Sequence, residues 1–177
     1  LNLKDILDAF IRFREEVITR RTKFELNKAR ERAHLLLGLV IAVTNLDEVV
    51  RIIRGSSSPA EAREKLLARE WPMAEIAPYI RLVEAIETEI EGDTYRMSEL
   101  QVRAILDLRL HRLTALGRDE IGDELQQLAA NIAEYLSILA DRQKLYAVMR
   151  EEFEAIEARV RHSAQVHHRP SGRRHRR

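Results

Sequence analysis

Apolar positions recur along this chain in a 4, 3 alternation, the spacing of helices that pack side by side. Thr22, Leu26, Ala29, Ala33, Leu36, Val40 and Val43 form one seam of about three heptads, with the charged residues Lys28, Arg30, Glu31 and Arg32 between them. Its alanines allow close approach of a partner helix. A longer seam runs through Ile121, Leu125, Leu128, Ile132, Tyr135, Leu139, Arg142, Tyr146, Met149, Phe153, Ile156 and Val160, and only Arg142 breaks its apolar character. As one helix it would extend about 60 Å. Ile6, Phe10, Phe13 and Val17 repeat the spacing near the start. The simplest arrangement is antiparallel: out along residues 20–45 and back along 119–140, with the later half of the return helix packing on residues 3–18.

The middle of the chain reads as short helices separated by breakers. Asn45 to Arg54 is a helix stopped by Gly55. Ser58-Pro59-Ala60-Glu61 supplies an N-cap, a first-position proline and a glutamate, and opens a helix to about Arg69. Trp71-Pro72 and Pro78 interrupt the next stretch, and Gly92-Asp93-Thr94-Tyr95 is a turn. Ser98-Glu99-Leu100-Gln101 is a capping box opening a helix to about Leu116, closed by Gly117. The pattern therefore predicts an all-α fold: an elongated antiparallel coiled-coil arm with a small helical globule at the tip. Residues 1–44 form the outgoing helices, 45–118 the tip, 119–161 the long returning helix and 162–177 a disordered basic tail.

Composition narrows the classes. Of 177 residues, 45% are hydrophobic and 33% charged, with 6 Gly and 4 Pro, which favours helix over a turn-rich β fold. Cysteine is absent, which excludes disulfides and thiolate sites and fits a cytoplasmic location. No apolar run reaches the roughly 20 residues of a membrane span, and the start carries no signal-peptide pattern. The chain does not begin with Met, so a piece of something longer is expected. The five arginines of 162–177, taken from 30 basic residues, leave 25 against 29 acidic ones, so the body is mildly acidic and does not read as a DNA-coating module. The tail arginines would bind polyanions weakly.

No catalytic constellation emerges. The glycines are scattered, no HExxH occurs, and pairs such as Glu15-Glu16, Asp119-Glu120 and Glu151-Glu152 suit a solvated helix face. His162, His167, His168 and His175 fall in the tail, while His34 and His111 read as ordinary helix-surface or interface residues. No metal or cofactor site is expected. The stretch 98–117 is apolar almost all round, through Ile105, Leu106, Leu108, Leu110, Leu113, Ala115 and Leu116. Such a helix buries more than one face, against its own core or against a second chain.

Two long stretches carry a resemblance. Arg20-Arg21-Thr22-Lys23-Phe24-Glu25-Leu26-Asn27-Lys28-Ala29-Arg30-Glu31-Arg32-Ala33-His34 is similar to a motif of bacterial DNA gyrase A subunits. So is Gln101-Val102-Arg103-Ala104-Ile105-Leu106-Asp107-Leu108-Arg109-Leu110-His111-Arg112-Leu113-Thr114, followed by Leu116-Gly117-Arg118-Asp119-Glu120. Asn45-Leu46-Asp47-Glu48 and Ser58-Pro59-Ala60-Glu61-Ala62 fall in order between them, and the resemblance covers roughly residues 1–160. The Phe-Glu-Leu-x-Lys-Ala-Arg form is closer to gyrase than to topoisomerase IV.

The resemblance implies the arm and exit gate of a type IIA topoisomerase, an ATP-dependent enzyme that supercoils DNA by double-strand passage. It implies a homodimer through the tip, with Ile105, Leu106, Leu110, Leu113 and Leu116 as candidate contacts, and partnership with double-stranded DNA and the gyrase B subunit. The family's ATP and Mg2+ sites belong to the B subunit. The catalytic tyrosine follows an arginine in an upstream domain, and Tyr79, Tyr95, Tyr135 and Tyr146 lack that context, so inactivity alone is expected. Residues about 70–97 look like a variable insertion. The tail departs from the family pattern from Arg161 onward, and a shifted reading frame near residue 160 is the expectation, to be checked in the coding DNA. Two rival readings remain: the same region of a topoisomerase IV A subunit, and a non-enzymatic coiled-coil scaffold.

Overall fold

The computed structural model describes residues 2–73, 75–85, 92–115 and 117–167, the side chains of Leu110 and His167 excepted. Among them are eight helices and one two-stranded ribbon: α1 (Leu3–Thr44), α2 (Leu46–Gly55), α3 (Pro59–Ala68), β1 (Trp71–Pro72), α4 (Ala77–Glu84), β2 (Thr94–Tyr95), α5 (Glu99–Asp107), α6 (Leu110–Ala115), α7 (Arg118–Ala140) and α8 (Arg142–His167). The fold is all-α. The chain divides into two compact units, Leu1–Thr22 with Ser137–Arg177, and Lys23–Leu136.

In the first unit α1 and α8 run antiparallel. The rings of Phe10 and Phe153 lie 5.9 Å apart, while Ile18 clusters with Leu145 and Met149. Partner positions on α8 thus fall as positions on α1 rise. Glu152 is held by Arg14 and Arg21, each at 2.5 Å. Both arginines depress its carboxyl below the ordinary range, Arg21 most, against an opposing push from burial. The outer turns of the expected seam stay exposed, with Leu3 at 71%, Ile6 at 55% and Phe13 at 59%.

The return is two helices rather than one. The break falls at Asp141, whose carboxylate accepts the Gln143 N–H at 2.9 Å. A side chain that caps a new helix competes with continuing the old one. A heptad count cannot register this, because the apolar spacing passes through the break unchanged. The expected disordered tail is also corrected in part: α8 continues to His167. Nothing from His162 to His167 is a helix breaker, and Pro170 is the first. Residues 168–177, with the tail arginines, His168 and His175, lie outside the described residues.

In the second unit many of the expected seam positions are buried, together with Leu37, Ile41 and Ala42 off the seam. Leu26, Ala29, Ala33, Leu36 and Val40 of α1 are buried, as are Ile121, Leu125 and Ile132 of α7; Leu128 and Tyr135 are half-buried, as is Leu139 in the first unit. Arg32 binds Glu124 through two bonds of 2.9 and 3.3 Å. Ser58 caps α3 by accepting the Glu61 N–H at 3.2 Å. The Glu61 carboxyl is lowered to about 2 by Lys65 and then Ser57. Gly55 ends α2, with Ser56 following in extended conformation.

Between Trp71 and Tyr95 the described residues have order that the sequence left open. β1 pairs antiparallel with β2, Trp71 opposite Tyr95 and Pro72 opposite Thr94. Gly92 supplies the left-handed backbone, φ +91°, that leads into β2. Trp71 is buried, its indole N–H donating to the Leu66 carbonyl at 3.4 Å. Residues 86–91 lie outside the described residues. The single helix expected over 98–116 is instead α5 and α6, separated at Leu108, which is extended at φ −77° and ψ 135°. The bend lets Ile105 and Leu113 both enter the core, at 0% and 1% exposure; tertiary packing overrides the local helical preference here.

Candidate functional site

The candidate contact is the segment α5–α6. The capping box forms as its sequence indicates: Ser98 accepts the Gln101 N–H at 3.3 Å, and the Gln101 side chain accepts the Ser98 N–H at 2.9 Å. Of the five candidate contacts, Ile105 and Leu113 are inside the chain's own core and support the segment from behind. Leu106 is half-buried beside Ile53 and the Ser56–Pro59 turn. The Leu110 side chain and Leu116 lie outside the described residues. Arg103, Asp107, Arg109 and Arg112 are exposed around the segment, and Leu100 is 61% exposed.

Behind this segment lies a polar cluster that sequence reading missed. His34, expected on a helix surface, is half-buried and bonded through both ring nitrogens. Nδ1 meets Glu84 Oε1, and Nε2 meets the Ser98 hydroxyl at 2.6 Å. Gln101, fully buried, donates from Nε2 to the His34 carbonyl at 2.7 Å and to the Tyr95 hydroxyl oxygen at 2.9 Å. The Tyr95 hydroxyl faces two acceptors, Gln101 Oε1 at 3.3 Å and Glu84 Oε1 at 3.4 Å. Burial pushes the Tyr95 hydroxyl's pKa well up, the Gln101 hydrogen bond opposes this in part and the nearby Glu84 charge adds to it, so the group stays a donor. The order Ser98–His34–Glu84 is that of a hydrolytic relay. Here, however, the Ser98 oxygen is committed to capping α5, which makes the cluster a joint between elements.

The signal that could have found this joint was present but scattered. His34 ends the first resemblance stretch and Gln101 begins the second, and neither is a seam residue. Arg30 adds a third tie, Nε donating to the Leu82 carbonyl at 3.1 Å. Elsewhere in this unit, Glu75, Tyr79, Arg118, Asp119 and Asp123 line a cavity of about 370 Å³, with an ion pair between Arg118 and Glu75. Among the described residues no group of three His, Cys, Asp or Glu is placed to hold a metal ion. None of their helices is long and apolar enough to cross a membrane.

Comparison with known proteins shows the family. The family model for the A subunit of DNA gyrase/topoisomerase IV matches residues 1–154. The DNA gyrase A subunit of Granulibacter bethesdensis is 50% identical over 161 residues, covering 90% of this chain and 17% of that protein. The DNA gyrase A subunits of Aeromonas salmonicida and Pseudomonas aeruginosa are 47% and 41% identical, covering 88% and 89% of this chain and 18% of each relative. The chain thus spans under a fifth of the length of these curated relatives. Because the family model matches residues 1–154 and these relatives are 41–50% identical over most of the chain, the chain belongs to the A-subunit family of DNA gyrase and topoisomerase IV.

Proposed function

We propose that this chain forms the arm and exit-gate contact of a gyrase A subunit. Two copies meet through the α5–α6 segment, hold the subunits together while DNA is cut elsewhere, and part to release the transported duplex. The observation that carries the reading is the family match over residues 1–154, which includes both helices. The role is mechanical: this chain contributes no catalytic group. In the complete enzyme, ATP and Mg2+ act on a B subunit, while the substrate is double-stranded DNA.

A gate contact must hold and yet release. That calls for a modest apolar patch within a polar rim. Leu106 and Leu108, half-buried and surrounded by exposed Arg103, Asp107, Arg109 and Arg112, suit that description. Leu106, Leu110 and Leu116 remain the proposed contacts, while Ile105 and Leu113 belong to the chain's own core.

The same region of a topoisomerase IV A subunit is the second reading, because the family model covers both enzymes; the names of the relatives favour gyrase. A generic coiled-coil scaffold is disfavoured, since such a protein needs apolar seam positions and not the off-seam pair His34 and Gln101. The test is the molar mass of the chain by light scattering over a concentration series. A dimer in reversible equilibrium is expected, and a strict monomer throughout would refute the gate for this chain.

A further inference from the structure

We propose that His34 and Gln101, closed into a ring with Tyr95, Glu84 and Ser98, are positioning residues that set the orientation of α5 on α1 and thereby the strength of the contact between two copies. The inference rests on the exit-gate reading and adds what holds the gate segment in register.

Donor and acceptor accounting closes the ring. The Gln101 side-chain amide donates to Tyr95, and the one Tyr95 hydroxyl proton is shared between Glu84 Oε1 at 3.4 Å and Gln101 Oε1 at 3.3 Å. The Glu84 carboxylate can only accept, so His34 donates to it from Nδ1. On the other side of the ring Nε2 pairs with the Ser98 hydroxyl at 2.6 Å. The Ser98 oxygen accepts the Gln101 backbone N–H, which returns the circuit to its start. A second Gln101 bond, to the His34 carbonyl, crosses the ring. The members come from α1, α4, β2 and the first turn of α5, separated by as many as 67 positions in sequence.

This arrangement does what apolar packing does not. Hydrophobic contact is non-directional and tolerates small slides of one helix on another. Hydrogen bonds weaken steeply with misalignment, and a partly buried ring of them anchored on the fully buried Gln101 has few alternative geometries. Gly38 removes the side chain that would hold the helices apart: a Cβ there would come within 2.8 Å of Gln101. The joint sits one turn before Ile105, so a small rotation at Gln101 is carried along α5 toward α6. A contact built on that segment loses complementarity when its support loosens.

The chain has no cysteine, so a nitroxide pair at Lys28→Cys on α1 and Arg103→Cys on α5, both exposed, reports the joint directly. Labelled chain is diluted with unlabelled chain so that only distances within one copy are read. The wild-type background is expected to give one narrow distance. Tyr95→Phe, which deletes one hydroxyl and adds neither charge nor volume, is expected to broaden it with helicity unchanged, and to raise the dimer Kd about tenfold. Ser98→Ala should act likewise, and Ser98→Thr should restore both readings. An unbroadened distance in Tyr95→Phe and Ser98→Ala overturns the joint, whatever the dimer does. A broadened distance with unchanged Kd overturns its link to the gate. A wild type that never dimerises overturns the gate reading itself, while the distance measurement still judges the joint.

Discussion

Two glycines in long helices allow the contact between α1 and α5 to be tested against helix propensity alone. Replacing a helical glycine by alanine is worth up to about 1 kcal/mol where nothing else intervenes. Gly122 in α7 has nothing within 4 Å of an added Cβ, so Gly122→Ala should stabilise by about that amount. Gly38 in α1 is different. An added Cβ would lie 2.8 Å from Gln101 Cβ and 2.9 Å from its Cγ. These atoms are at the root of a fully buried side chain whose far end is tied to His34 and Tyr95. Rotating the end of Gln101 away cannot relieve the overlap; α5 itself has to shift. Overpacking of this kind costs about 1–3 kcal/mol, and disturbing the Gln101 bonds adds to it. The propensity gain is outweighed, and Gly38→Ala should destabilise by about 1–2 kcal/mol. Urea unfolding at one fixed protein concentration, followed by far-ultraviolet circular dichroism, compares the two variants with wild type. If Gly38→Ala stabilised as much as Gly122→Ala, α5 would not lie against α1 as described, and the joint would lose its basis.

Leu110→Asp places a charge in the proposed contact; it should abolish the dimer in light scattering while leaving helicity largely intact, and an unchanged dimer mass would remove α6 from the interface. Glu152→Gln should lower stability at neutral pH by about 1 kcal/mol or less, as partly exposed ion pairs do. Because the folded-state value of Glu152 is depressed below 4.5, its contribution is present above that pH and lost as pH falls through the depressed value, so the gap between variant and wild type should close in acid; a gap that persists at low pH would contradict the assignment. Asp141→Ala should destabilise by about 1 kcal/mol through loss of the α8 cap, read as a lower urea midpoint; no change would mean the break at Asp141 has another cause.

The amino-acid sequence by itself determined the helical class, the burial of many heptad positions of α1 and α7, the caps at Ser58 and Ser98, and the family. Each of these is written in neighbouring residues: a 4, 3 apolar rhythm, a serine three places before a glutamate or glutamine, a motif read along one stretch of chain. Tertiary structure alone decided the bend at Leu108, the ribbon between Trp71 and Tyr95, and the joint at His34. The bend goes with the burial of both Ile105 and Leu113, one on each side of it. The ribbon pairs residues more than twenty positions apart. The joint gathers His34, Glu84 and Gln101 across separations of 50 and 67 positions. A directional hydrogen bond between distant residues leaves no period in the chain, so a histidine that holds three elements together reads, in sequence, like any other polar residue on a helix.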